Sequence, residues 1–198
     1  MLIPLAKIGD KWKLEESDYY LKHNYKDYLD DEKDVFRFNE EFMLISPKIL
    51  YRQTASNIIA AIDTEKHCID KTAHLIVPRE NYSHIDLRYV LALLNSKLYQ
   101  YLYTYISQEE AGRAFAQVKT TYIKKLPFKE ISPGKQVPFI DIVHEIQLQI
   151  INIDNLSNLS EISKQKIGEL EQLIDVMVYK LYSLNKDEIA IVENIKIT

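Results

Sequence analysis

Two apolar series near the C-terminus constrain the fold more than any other feature of the chain. Phe139, Val143, Ile146, Ile150 and Ile153 recur at steps of four and three, and Ile167, Leu170, Ile174, Met177, Leu181 and Leu184 at steps of three and four. An α-helix turns once in about 3.6 residues, so each series lines one stripe of a helix. A short Ser/Asn-rich stretch separates the two, and helices joined that way pack antiparallel. The spacing therefore predicts a helical hairpin. Asn185 and Glu188 have the spacing of a cap for one more short helix ending near Glu193, and Pro133-Gly134 with Pro138 reads as a linker before the hairpin.

Upstream of that linker the period changes. Lys48-Ile49-Leu50-Tyr51-Arg52, Asn57-Ile58-Ile59-Ala60-Ala61-Ile62 and residues 72–77, stopped by Pro78, are short β-branched or aromatic runs that read as strands. Ser83 and Asp86 stand at the spacing of a capping box. Leu87, Leu91, Leu94, Leu98, Tyr101 and Tyr105 follow at helical steps, predicting one helix of about five turns. Val118-Lys119-Thr120-Thr121-Tyr122-Ile123 reads as extended. Residues 11–34 mix Tyr19, Tyr20, Tyr25 and Tyr28 with acidic residues, which suggests a polar, partly helical connector whose tyrosines lie half-buried on a neighbouring element. The fold class is α+β, with a connector over residues 1–43, a mixed α/β segment over 44–135 and a helical region over 136–198.

At 198 residues and 46% hydrophobic composition, the chain can bury a core of one domain with a helical appendage. The net charge of −4 hides an asymmetry. Residues 44–135 hold 13 basic and 8 acidic side chains, a net +5, whereas 1–43 carry −4 and 136–198 carry −5. A polyanion would be welcome only at the middle segment, whose most basic stretch contains Arg113, Lys119, Lys124 and Lys125. Cys68 is alone, so no internal disulfide forms. The N-terminus lacks a basic-led apolar leader and no run reaches about 20 apolar residues, so a cytoplasmic chain without membrane contact is expected.

Catalytic patterns are missing. Gly9, Gly112, Gly134 and Gly168 form no phosphate-cradling loop, and no two prolines are adjacent, so an Asn/Asp-Pro-Pro-aromatic methyltransferase loop is excluded. His67, Cys68, His74 and His84 lack the short paired spacings of zinc ligands. Glu109-Glu110 points about 100° apart on a helix, and Asp63 with Glu65-Lys66 has the wrong spacing for a nuclease. The expectation is a non-catalytic chain with no cofactor or metal of its own.

Several stretches together resemble the TaqI-like C-terminal specificity domain of Type II DNA methyltransferases and fused restriction-modification enzymes. They are Ser46-Pro47-Lys48-Ile49-Leu50-Tyr51-Arg52, Ala61-Ile62-Asp63, Leu91-Ala92-Leu93-Leu94-Asn95-Ser96-Lys97-Leu98 and Leu126-Pro127-Phe128, followed by residues 174–184 and Asp187-Glu188-Ile189. Their order and spacing extend over residues 42–193. The resemblance implies sequence-specific recognition of double-stranded DNA, positioning an adenine-specific methyltransferase domain of the same or a partner chain. S-adenosylmethionine, and Mg²⁺ where an endonuclease is attached, are expected only in those other domains.

Phosphate contacts need flexible cations, for which Arg113, Lys119, Lys124 and Lys125 are the candidates. Base readout needs planar bidentate or amide groups, for which Arg52, Gln53, Thr54, Asn57, Arg79 and Gln117 qualify; Lys48 and Tyr122 complete the set. Two other readings stand beside this one: a stand-alone specificity subunit, and a helical scaffold or subunit-docking protein that never touches DNA.

Overall fold

The structure is a computed structural model and describes residues 2–29, 39–107, 116–155 and 160–194. It is α+β, as the periodicities predict. Where a partly helical connector was expected, strands β1 (Leu2–Ile8) and β2 (Leu14–Lys22) pair antiparallel, followed by a 3-10 turn at Tyr25–Tyr28. Ile3, Ala6 and Ile8 of β1 are buried, and this burial, with the backbone pairing, outweighs the polar composition of β2. The tyrosines divide. Tyr25 is buried and donates to Glu40 at 3.2 Å, but Tyr19, Tyr20 and Tyr28 are 50–69% exposed rather than half-buried.

The turn between β1 and β2 carries Trp12 at φ 70°, a conformation rare for a bulky residue. Its surroundings hold it there. The Trp12 amide donates to the Ala60 carbonyl at 2.9 Å, and the buried indole donates through Nε1 to Glu171 at 2.8 Å. Short helix α1 (Glu40–Met43), capped by the Asn39 side chain, then leads to the second sheet.

That sheet has the order β4-β3-β5, all antiparallel, with β3 (Lys48–Arg52) central between β4 (Ala60–Asp63) and β5 (Ala73–Ile76). Alternate residues of β3 face opposite sides, as a pleated strand requires. Ile49 and Tyr51 join the main core, while Leu50 packs with Ala6, Ile8, Ile69 and Ala73 beneath the N-terminal hairpin. The sheet is therefore covered on both faces.

Lys48 and Asp63 lie directly opposite each other on β3 and β4 and meet at 2.6 Å with both side chains fully buried. His67 Nδ1 lies 2.8 Å from the other carboxylate oxygen, and the Glu65 and His67 amides donate to the same group. Burial alone would raise the Asp63 carboxyl. The hydrogen bonds from Lys48, His67 and the Glu65 amide outweigh it and hold the group below the usual carboxylate range.

The predicted five-turn helix is two helices. Asp86 caps α2 (Leu87–Asn95) by accepting from the Arg88 amide, while Ser83 instead closes a 3-10 turn at Glu80–Tyr82. Ser96 interrupts the run and caps α3 (Lys97–Ile106). The interruption serves the neighbouring strand segment. Asn95 accepts from the Ala60 amide at 3.2 Å and donates to its carbonyl at 3.0 Å, and Gln100 makes the same pair of bonds to Ile58, both at 3.0 Å. Two buried carboxamides thus satisfy backbone groups at and just before β4, an edge strand.

Residues 118–123, expected to be extended, instead form a short turn of helix, α4 (Thr120–Ile123). Pro133 to Pro138 is no linker but the start of α5 (Pro133–Asn155), an opening that proline's fixed φ suits. With α6 (Ser160–Tyr182) it makes the expected hairpin, and α7 (Lys186–Glu193) starts with a full Asn185/Glu188 capping box. Phe139, Val143 and Ile146 of α5 and Leu170, Ile174 and Val178 of α6 pack with Leu91 and Leu94 of α2, so one core joins sheet and hairpin. Among the described residues no helix is long and apolar enough to cross a membrane.

Asp175 on α6 is buried and accepts from the Lys97 amide at the start of α3, at 2.8 Å. Burial pushes its carboxyl up to about 6, the Lys97 amide opposing the shift. A carboxyl raised in the folded state binds its proton more tightly than in the unfolded chain, so its contribution to stability falls as pH rises from about 4 to about 6 and stays low above that. Asp175→Asn keeps an acceptor for Lys97 and removes the titration. Chemical denaturation should show this variant gaining on wild type by about 2–3 kcal/mol between pH 4 and pH 7.5; parallel profiles would show that Asp175 ionises freely in the fold.

Candidate nucleic-acid interface

The site begins where β3 ends. The Gln53 amide donates to the Thr72 carbonyl at 2.8 Å, and the Val118 amide donates to the Gln53 carbonyl at 2.7 Å. Thr54 and Gln117 form an isolated antiparallel bridge beside this bond. Tyr103, buried on α3, donates to the Gln117 carbonyl and receives the Lys119 amide, each at 3.2 Å. Tyr51 and Thr120 hydroxyls meet at 2.9 Å. Two segments more than 60 residues apart in sequence are thereby held side by side through their backbones.

Between them lies a pocket of about 260 Å³ lined by Gln53, His74, Gln117, Lys119, Thr120 and Thr121. His74 sits on β5 opposite Tyr51, with ring centroids 5.1 Å apart, and burial lowers its pKa, favouring the neutral imidazole. Flanking the adjoining α4, Lys119 Nζ lies 5.7 Å and Lys125 Nζ 5.6 Å from the Tyr122 ring centroid. Cations near an aromatic face gain a favourable interaction with its ring, and Lys119 and Lys125 both make it here. Lys124, exposed at the end of α4, belongs to the same surface.

Seven of the sequence candidates thus come together: Gln53, Thr54, Gln117, Lys119, Tyr122, Lys124 and Lys125. Others do not. Lys48 is buried in its pair with Asp63 and cannot reach DNA. The Arg52 guanidinium donates to the Ile8 carbonyl at 2.6 Å and to that of Gly9, so it fastens β1 to β3 rather than facing solvent as a reading group. Asn57 faces Thr104 and a separate pocket of about 510 Å³ beneath the β1–β2 turn. Arg79 is exposed beyond the far end of β5, and Arg113 lies outside the described residues. His74 and Thr120 were missed as site residues, since only the β3–β5 register and the Gln53–Val118 bond place them here.

Residues 10–128 match the TaqI-like C-terminal specificity domain. The chain belongs to this family. The match covers the second sheet, α2 to α4 and both segments of the pocket edge, while α5 to α7 lie beyond it. The TaqI-like specificity domain is a target-recognition module of restriction-modification enzymes. Among curated proteins nothing matches the chain.

Proposed function

We propose that this TaqI-like specificity domain binds double-stranded DNA at a defined sequence and positions a separate adenine methyltransferase domain, in the same chain or a partner, within the cytoplasm. S-adenosylmethionine, and Mg²⁺ where cleavage is attached, belong to that other domain. The observation carrying the proposal is the backbone ladder joining residues 53–54 to 117–119. It gathers amide, hydroxyl and ammonium groups on one edge of the only net-basic segment of the chain.

Phosphate contacts give register and most of the non-specific affinity, whereas base edges give sequence. Lys119, Lys124 and Lys125 supply the first kind of contact; Gln53, Thr54 and Gln117 supply the second. Replacing the three lysines together by alanine should weaken duplex binding about 10- to 100-fold for every sequence. It should also flatten the slope of log affinity against log salt by up to about 3, because each neutralised phosphate releases its counterions. Gel shifts across a salt series measure both. A wild-type chain that leaves duplex DNA unshifted at low salt would instead support the scaffold reading.

A further inference from the structure

Within the proposed DNA-binding face, the pocket between Gln53 and Gln117 has properties that a general phosphate patch does not need. The backbones of both residues are fixed: Gln53 by the Thr72 carbonyl and the Val118 amide, Gln117 by Tyr103 and by its bridge to Thr54. Their side-chain amides make no hydrogen bond with any described residue. Rigid main chain carrying unpartnered carboxamides is how a reading group is pre-organised, because little further ordering is needed when the partner arrives. His74, the third polar group of the pocket, favours its neutral form and offers one donor and one acceptor.

The choice of base follows from what lines the pocket and what does not. A carboxamide presents a donor and an acceptor side by side, which matches adenine's N7 acceptor and N6 amino donor in the major groove. Guanine there offers two acceptors and favours a guanidinium, and among the described residues no arginine lines the pocket. Cytosine favours a carboxylate on its amino group, and among the described residues no acidic side chain lines the pocket. Thr120 and Thr121, which carry methyl groups, also line the pocket and suit the thymine methyl of the paired base. Lys119 at the rim is drawn to the Tyr122 ring, placed for a flanking phosphate rather than a base edge.

We infer that this pocket reads one adenine·thymine pair from the major groove, with Gln53 or Gln117 bidentate on adenine and the other amide and His74 completing the contact. The inference rests on the DNA-recognition reading above, and its test separates the two. Binding sites are selected from a random duplex pool with the full chain and with Gln53→Ala/Gln117→Ala, then measured on the selected site and on a copy carrying 7-deazaadenine, which lacks N7.

Wild type should require adenine at one position and lose about tenfold or more when N7 is removed. The double variant should keep the salt slope and binding to random duplex, lose preference at that position alone, and be indifferent to 7-deazaadenine. Persistence of the adenine requirement in the variant, or loss of preference at every position together, would overturn the assignment while leaving DNA recognition standing. Wild type that retains no duplex at all would overturn both. Free adenosine monophosphate at millimolar concentration should not displace the duplex; displacement would mean that the pocket is built for a free nucleotide and would overturn the assignment to duplex DNA.

Discussion

Asp63→Ala should cost about 3–5 kcal/mol in equilibrium denaturation, because it leaves the Lys48 ammonium fully buried without a counter-charge. The loss would come mainly from the stranded charge, not from the vanished contact. The double replacement Lys48→Met/Asp63→Leu removes both charges and fills the space with apolar atoms, and should recover most of the stability. A double variant as unstable as Asp63→Ala would show that the carboxylate's bonds to His67 and the Glu65 and His67 amides, rather than the lysine, carry the effect. The pH dependence has a definite sign. A carboxyl held below its ordinary range stabilises the fold fully above about pH 4, and that contribution is lost as pH falls through the depressed folded value. This runs opposite to Asp175, whose contribution grows as pH falls from about 6 to about 4, so wild type should gain from Asp175 over that range before losing the Asp63 contribution below about pH 4.

Asn95→Ala is the second large effect, expected at about 2–4 kcal/mol. The side chain is 3% exposed and serves both backbone groups of Ala60. The Ala60 carbonyl keeps its bond from the Trp12 amide, but the Ala60 N–H is left without a partner in the interior. An orphaned buried donor costs about 1–3 kcal/mol, and the small cavity adds to it. Amide hydrogen exchange localises the damage: protection should fall at Ala60 and Ile58 more than at Leu50 in the central strand. Unchanged protection at Ala60 would show that another acceptor moves in and that Asn95 is not the strand's anchor.

The parts legible in the sequence are those governed by local period. The spacing from Phe139 to Ile153 and from Ile167 to Leu184 is a helical pattern because the apolar stripe must face one core, and that holds whatever the rest of the chain does. The three strands of the second sheet and the Asn185/Glu188 box were legible for the same reason. The errors occur where a distant partner decides. Leu87 to Tyr105 keeps helical spacing across the Ser96 break, since the stripe is the same for one helix or two; only the needs of Ala60 and Ile58 require the interruption. Val118 to Ile123 has strand-like residues, yet the Val118 amide is taken by Gln53 and the following residues close into a turn.

The candidate site divides along the same line. Gln53, Gln117 and the lysines around α4 were legible as candidates by residue type, because amides and ammonium groups are mostly found at a surface. Lys48 and Arg52 have the same chemistry and were indistinguishable from them until register placed Asp63 across from one and the end of β1 across from the other. Charge alone identifies a cation, whereas whether it faces solvent or an aspartate depends on strand pairing.

The position of α2 has a consequence for how such domains could be exchanged between enzymes. One side of α2 rests on the second sheet, and the other is covered by Phe139, Val143 and Ile146 of α5, with buried Gln136 accepting from the Asp86 amide and donating to the His84 carbonyl. The family-matched segment ends before Gln136, Phe139, Val143 and Ile146. A graft of residues 10–128 would therefore carry half of a core and leave the rest with the donor. A cassette that moved this fold intact would be longer than the family-matched segment, because the edge joining residues 53–54 to 117–119 shares its core with helices that the shorter graft would leave behind.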